Sequence, residues 1–283
     1  MGYLYPSTRR APSLISAFVM TANRFPILAS GAITETPIPA PYPARAIDLE
    51  FPGFIDWSRG VYPAGLHEID IYMIGFRADG FLVDAYAQAN IPMPATIARS
   101  VTKRQAEHFY GRLAARLALA GLGTHAHNID AGPNGEPVWP AGVIGSITHS
   151  PCQAAAAALP FGRWQGVGID IEDAVGPQEI AGIEQLAMCS AELAMLRQIP
   201  ELPYNVLVAL AFSAKESFYK ATFGAIGRYF GFEAIRIDAV DQAGGCLHFT
   251  TMETLCSAWP RGRRGCIGFT LLDTGVLTAF AWE

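Results

Sequence analysis

The chain has 283 residues, 51% of them hydrophobic and 16% charged, and a formal net charge of -5. This balance excludes a disordered chain. The slight acidity gives no support to a protein that tracks a nucleic-acid backbone, which needs a broadly basic surface, and leaves room for a small, locally positive pocket. The length accommodates one large domain or two small ones.

At the N-terminal end, the stretch 11–33 is apolar, but Asn23, Arg24 and Pro26 interrupt it short of the ~20 apolar residues a membrane helix needs. It also lacks the ordered basic, apolar and cleavage regions of a signal peptide. It reads as folded or loosely packed chain, with a weak interfacial role as the other reading and no membrane span. Prolines and glycines from Pro37 to Pro63 predict irregular chain wrapped on a core. Alternation from Glu68 to Phe76 predicts a buried or half-buried strand. The spacing over 102–122 predicts a helix capped near Thr102 and ended by Gly121 or Gly123. Its apolar face carries Ala106, Phe109, Tyr110, Leu113, Ala114 and Leu117. Arg104, His108 and Arg112 stack four apart on the other side, next to Glu107.

Short apolar runs over 143–150 and 154–159 predict neighbouring strands, and 162–165 a turn between two halves of the fold. A strand over 166–172 follows, then helices near 179–197 and 206–223, and strands over 232–240, 246–251 and 266–272. Helices and strands in this order predict an α+β arrangement with helices laid on a twisted sheet. Cys152, Cys189, Cys246, Cys256 and Cys266 form no CxxC pair and have no His at metal-site spacing. An odd, scattered set reads as mostly buried thiols in a reducing compartment, hence a cytoplasmic protein.

The chemistry-bearing residues fall in four places. In Gly168-Ile-Asp-Ile-Glu172, strand alternation turns Asp170 and Glu172 to one side and Ile169 and Ile171 to the core. Two carboxylates so close repel unless protonated, solvated or bridged by a cation. Mg²⁺, which favours carboxylate oxygen, water and phosphate, is the economical bridge. A solvated acidic strand edge fits the tripeptide as well. In Phe212-Ser-Ala-Lys-Glu-Ser-Phe-Tyr-Lys220, a helix sets Glu216 and Lys220 one turn apart with Lys215 beside them. Glu216 is then a third oxygen ligand, and both lysines supply charge for phosphates; an ordinary i,i+4 pair is the alternative. In Ser146-Ile-Thr-His149-Ser, His149 follows a small-residue strand end, suited to a phosphate or ribose oxygen or to a structural role. A serine nucleophile beside it lacks the G-x-S-x-G elbow. Guanidinium forks at Arg104 and Arg112 suit phosphate oxygens, or simply a solvated helix face. The Gly132–Gly135 segment matches neither GxGxxG nor a Walker loop.

Five pieces in order resemble the 4′-phosphopantetheinyl transferases, in particular their enterobactin-synthetase-type branch. They are Lys103-Arg104-x-x-Glu107-x-x-x-Gly111-Arg112, Gly135-Glu-Pro-Val-Trp-Pro140, Gly145-Ser-Ile-Thr-His149-Ser, Gly168-Ile-Asp-Ile-Glu172 and the 212–220 segment. The similarity spans about 103–221, and Thr148 stands where that branch commonly has serine. The resemblance implies two similar α+β halves, 1–163 and 164–283, related by a pseudo-twofold axis in a monomeric chain, with coenzyme A in the cleft. It implies metal ligation by Asp170, Glu172 and Glu216 to Mg²⁺, with Mn²⁺ as a substitute. It implies coenzyme A binding by Arg104, Arg112, His149, Lys215 and Lys220, and catalytic roles for Glu216, Lys220 and Asp170. Glu216 is either a base for the attacking serine or a ligand alone. The implied reaction is transfer of 4′-phosphopantetheine from coenzyme A to a serine of an apo acyl, peptidyl or aryl carrier protein, releasing 3′,5′-ADP. The enterobactin-type resemblance tilts the pathway towards siderophores and secondary metabolism. Phe218, Tyr219, Phe223 and Arg228 are candidates for carrier docking, with core packing the competing role of the aromatics. A non-catalytic coenzyme A-binding partner and a metal-dependent phosphodiester hydrolase are the alternatives. Intact carboxylates and Lys220 oppose the first.

Overall fold

The computed structural model describes residues 69–124, 128–132 and 135–283, with the backbone of two further strands, Arg45–Ala46 (β1) and Ile55–Val61 (β2). The 11–33 stretch and most of the Pro-rich segment lie outside the described residues. Within that segment β2 corrects the expectation of irregular chain, because it pairs antiparallel with Ile71–Phe76 (β3).

The first sheet has the order β1-β2-β3-β7-β6, with β6 at Val143–His149 and β7 at Gln153–Pro160. A small ladder, Asp130–Ala131 (β4) with Pro137–Val138 (β5), precedes β6. Two short helices, Ala85–Gln88 (α1) and Ala95–Ala98 (α2), lead to the long helix Thr102–Gly121 (α3). Thr102 is the first helical residue rather than the cap; Val101 occupies the cap position without a side-chain bond. Ala106, Phe109, Tyr110, Leu113 and Ala114 are buried as the periodicity predicts, while Leu117 is only partly covered. The aromatic members pack on each other, with Phe76 stacked on Tyr110 at 4.3 Å.

The second sheet has the order β8-β12-β11-β10-β9. Its strands are Gly166–Asp173 (β8), Ile235–Asp241 (β9), Cys246–Thr251 (β10), Arg264–Leu271 (β11) and Gly275–Trp282 (β12). The helices Ile180–Ala187 (α4), Ser190–Leu196 (α5) and Tyr204–Ile226 (α6) lie between β8 and β9. Only Cys246 among the cysteines is buried; Cys152, Cys189 and Cys266 are exposed and Cys256 is intermediate, so the expectation of mostly buried thiols does not hold.

The two halves repeat one plan. In each, a strand precedes the long helix and pairs with the last strand of that half, β3 with β7 and β8 with β12. The penultimate strand lies on the far side of that last strand, β6 beside β7 and β11 beside β12. This is the α+β, pseudo-twofold architecture. The helix α6 lies close on β8 because the contact is built from small residues. A Cβ on Gly168 would overlap the Ser217 carbonyl oxygen and the Ala221 nitrogen. Ser213 donates to the Asp170 carbonyl at 3.2 Å and Ser217 to the Thr278 carbonyl at 3.1 Å, so the helix is hydrogen-bonded to the strands it covers.

The sheets meet through Ile71, Met73, Ala155 and Ala157 on one side and Ile169, Ile171, Leu277 and Ala279 on the other. At the rim of this contact, edge strand β6 faces edge strand β8. Ile169 N donates to Ser146 Oγ and Ile171 N to Thr148 Oγ1, each at 3.1 Å. Hydroxyls thus satisfy backbone donors that would otherwise be orphaned at a buried sheet edge.

Candidate active site

The junction of β6, β8 and α6 gathers the expected acidic residues. Asp170 is buried, and its Oδ1 accepts from Lys220 Nζ at 2.5 Å and from Thr148 Oγ1 at 3.2 Å. Lys220 also donates to the Ile169 carbonyl at 3.3 Å. Glu216 stands one helical turn before Lys220 and is buried to 8% exposure. Asp170 and Glu172 point out of the same face of β8, as the alternation predicts.

The electrostatics follow from crowding. Burial, then the neighbouring Asp170 charge, pushes Glu172 up to about 9. Burial and Asp170 push Glu216 up to about 7 against the pull of Lys220. Burial works against the Lys220 charge, but Asp170, Glu216 and Glu172 together outweigh it and hold the ammonium above its ordinary range. One cation therefore faces three acidic groups.

A hard divalent ion suits the donor chemistry of this set, although the three carboxylates are not drawn to within 4.8 Å of one another. All three donors are carboxylates, and Asp170 Oδ2 is buried with no hydrogen-bond partner. The residues that would hold the ion are Asp170, Glu172 and Glu216.

The sign of the pH effect is fixed by these shifts. Without a cation, the folded protein keeps protons on Glu172 and Glu216 above the ordinary carboxylate value of 4.5. Stability contributed by this pair is then full below about 4.5 and declines as pH rises through about 7 and 9. We expect the thermal midpoint in chelator to fall between about pH 6 and pH 9, and added Mg²⁺ to restore more of it at the higher pH. A midpoint that rises over that range in chelator would contradict this crowding.

The basic end lies where α3 meets the end of β6. Arg104 Nη1 donates to His149 Nε2 at 2.7 Å and reaches Glu107 Oε2 at 3.3 Å. Burial, then the Arg104 and Lys220 charges, pushes His149 down to about 3, so the ring is neutral and accepts from the guanidinium. His149 Nδ1 faces Glu107 Oε2 at 3.9 Å. His108, in the middle of the stripe, is turned to Tyr86, whose hydroxyl lies 2.9 Å from its Nδ1. Arg112 is two turns beyond Arg104, ~12 Å along the helix axis. It lines a small cavity with Ile91, Arg116 and Asn128, and its buried Nε has no partner.

Lys215 is a correction. Its side chain is 2% exposed and turned away from the acidic cluster, pairing with Glu192 at 2.7 Å and donating to the carbonyls of Ala187 and Phe232. With all three N–H donors engaged, it has none for a phosphate. Phe218 is a core residue, while Tyr219, Phe223, Tyr229 and Phe230 form an outer aromatic group. Thr148 escaped the sequence reading as a site residue. Its hydroxyl accepts from β8 and orients Asp170, and the signal was the Ser146-x-Thr148 alternation that mirrors Asp170-x-Glu172.

Residues 93–159 match the 4′-phosphopantetheinyl transferase N-terminal domain, and residues 166–267 match the 4′-phosphopantetheinyl transferase superfamily. The chain is 35% identical over 158 residues to 4′-phosphopantetheinyl transferase Npt of Nocardia iowensis, covering 54% of this chain and 69% of that protein. The chain belongs to the 4′-phosphopantetheinyl transferase family. This transferase is also 37% identical over 146 residues to enterobactin synthase component D of Salmonella typhi, covering 52% of this chain and 59% of that one. It is 36% identical over 148 residues to 4′-phosphopantetheinyl transferase PptT of Mycobacterium tuberculosis, covering 50% and 61%. The matches to these last two proteins thus span about three fifths of their length. Among the described residues of the transferase, no helix is long and apolar enough to cross a membrane. The acidic cluster, the Arg104–His149 pair and α6 all fall inside the two matched segments.

Proposed function

We propose that this enzyme transfers 4′-phosphopantetheine from coenzyme A to a serine of an apo acyl, peptidyl or aryl carrier protein in a Mg²⁺-dependent reaction. The observation that carries this reading is the continuity of two unlike surfaces. The Arg104–His149 pair, whose guanidinium is suited to a phosphate oxygen, continues along β6 through Thr148 to an acidic cluster with its own lysine. A ligand with separated phosphates, such as coenzyme A, suits a site with both ends.

The serine oxygen forms a bond to the β-phosphorus of coenzyme A as the bond to the departing 3′,5′-ADP oxygen breaks. Glu216, one helical turn from Lys220 in the acidic cluster, is the residue placed to take the serine proton, directly or through a neighbouring water. Asp170, Glu172 and Glu216 would hold Mg²⁺, which when bound would supply charge neutralisation for the transferring phosphate. Lys220, held cationic by its carboxylate neighbours, offsets negative charge on the transferring phosphate. Arg104, His149 and Arg112 hold the nucleotide and its phosphates, which is positioning rather than bond chemistry. The enzyme acts as a cytoplasmic monomer. Relatives named as enterobactin synthase components support carriers of siderophore and other secondary metabolism as acceptors.

The test is a mass gain of one phosphopantetheine on the acceptor serine, dependent on coenzyme A and Mg²⁺. No transfer to acyl, peptidyl and aryl carriers from the same genome would overturn the reading. His149→Ala is expected to raise KM for coenzyme A about tenfold or more while changing kcat little. A fall in kcat at unchanged KM would remove His149 from the cofactor-binding surface.

A further inference from the structure

Away from the acidic cluster, β10 and β11 bring together Cys246, His248 and Cys266. One ligand atom from each lies within 4.8 Å of the others. The sequence alone offered no metal-site spacing here, because the third member comes from a different strand. Cys246 and His248 are two apart on β10 and share a face. In the antiparallel ladder Cys266 stands directly opposite His248, which places its side chain on that same face.

The opposite face of these strands is occupied. Leu247 and Phe249 of β10 and Ile267 and Phe269 of β11 enter the core beneath α6. The thiols and imidazole therefore lie on the face turned away from α6, with His248 and Cys266 exposed. Asp241 is opposite Cys246 on β9 and places a carboxylate beside the group. A register shift follows His248 in the β9–β10 ladder, a bulge that re-aims the neighbouring side chains.

We propose that Cys246, His248 and Cys266 form a zinc site, separate from the Mg²⁺ chemistry, that clamps β10 to β11. Two sulfurs and an imidazole nitrogen are a borderline-soft donor set that suits Zn²⁺ and is poorly matched to Mg²⁺. Ligands about 2.0–2.3 Å from a tetrahedral zinc stand roughly 3.5–3.8 Å apart. Cys246 Sγ and His248 Nε2 are already 3.7 Å apart. Solvent takes the fourth position, and the Asp241 charge favours a cation there. A disulfide is disfavoured by the register. Cys246 faces Gly268, so the two cysteines are diagonal neighbours, with Cα atoms roughly 7–8 Å apart against the usual disulfide limit of about 6.8 Å.

Cobalt titration of the full chain tests the site. Excess Mg²⁺ keeps the carboxylate cluster occupied, and a non-thiol reductant keeps the cysteines reduced. The expected result is a thiolate-to-cobalt charge-transfer band that saturates at a single equivalent and is bleached by Zn²⁺. Cys266→Ser and His248→Ala alter exposed positions and should each weaken binding about tenfold or more, with phosphopantetheine transfer unchanged. Because the band reports sulfur ligation, its outcome is independent of whether the transfer reading holds. Three results would overturn the site: no band, an equal band and affinity in Cys266→Ser, or a Cys246–Cys266 disulfide in peptide mass analysis of protein isolated with its thiols blocked.

Discussion

Replacing Asp170 by asparagine is expected to lower transfer by about three decades at saturating coenzyme A and Mg²⁺, with the fold retained. The substitution keeps the shape of the side chain and one oxygen for Lys220 and Thr148. It removes the charge and turns one of the two oxygens into an N–H₂ donor, which cannot bind a hard cation. Several kcal/mol of transition-state charge stabilisation rest on such a ligand, and about 4 kcal/mol corresponds to three decades in rate. The same change relieves crowding, so the pH-dependent loss of stability from Glu172 in chelator should shrink. Transfer within a few-fold of wild type would show that Asp170 is only a partner of Lys220. A thermal midpoint near wild type separates loss of chemistry from loss of fold.

The parts of this site visible in the sequence were those set by short-range periodicity. Asp170 and Glu172 share a face because a strand alternates, and Glu216 and Lys220 do because a helix turns every 3.6 residues. The same helical geometry explains the failure at Lys215. Neighbours in a helix are about 100° apart, so a residue beside Glu216 in sequence faces a different part of the protein. Thr148 meets Asp170 only because two sheet edges are brought together by packing between the halves, which no local pattern encodes. β12 was missed for another reason. Gly275–Trp282 is buried on both faces along almost its whole length, so it reads as a continuous apolar run rather than an alternating strand. It nevertheless pairs with β8 from Gly166 to Asp173 and so fixes the register of the strand that carries the carboxylates.

Lys215→Met is expected to destabilise the protein by about 3–5 kcal/mol while leaving KM for coenzyme A unchanged in the folded fraction. The Lys215 and Glu192 side chains are 2% and 1% exposed, and their ion pair is 2.7 Å long. Glu192 also accepts from Ile237 N at 2.8 Å and, through its other oxygen, from Cys189 N at 2.7 Å at the start of α5. Together with the Lys215 bonds to Ala187 and Phe232, this pair joins the end of α4, the start of α5, the middle of α6 and β9. Removing the ammonium strands a buried carboxylate, which costs more than the pair itself contributes. The double variant Lys215→Met, Glu192→Gln should therefore be more stable than the sum of the single losses, because neither charge is left alone. Urea midpoints give the stability arm and coenzyme A titration of initial rates gives the binding arm. Lys215→Met with wild-type stability and a raised KM would return Lys215 to the phosphates. The opposite pattern makes it the brace that sets the position of α6, and with α6 that of Glu216 and Lys220.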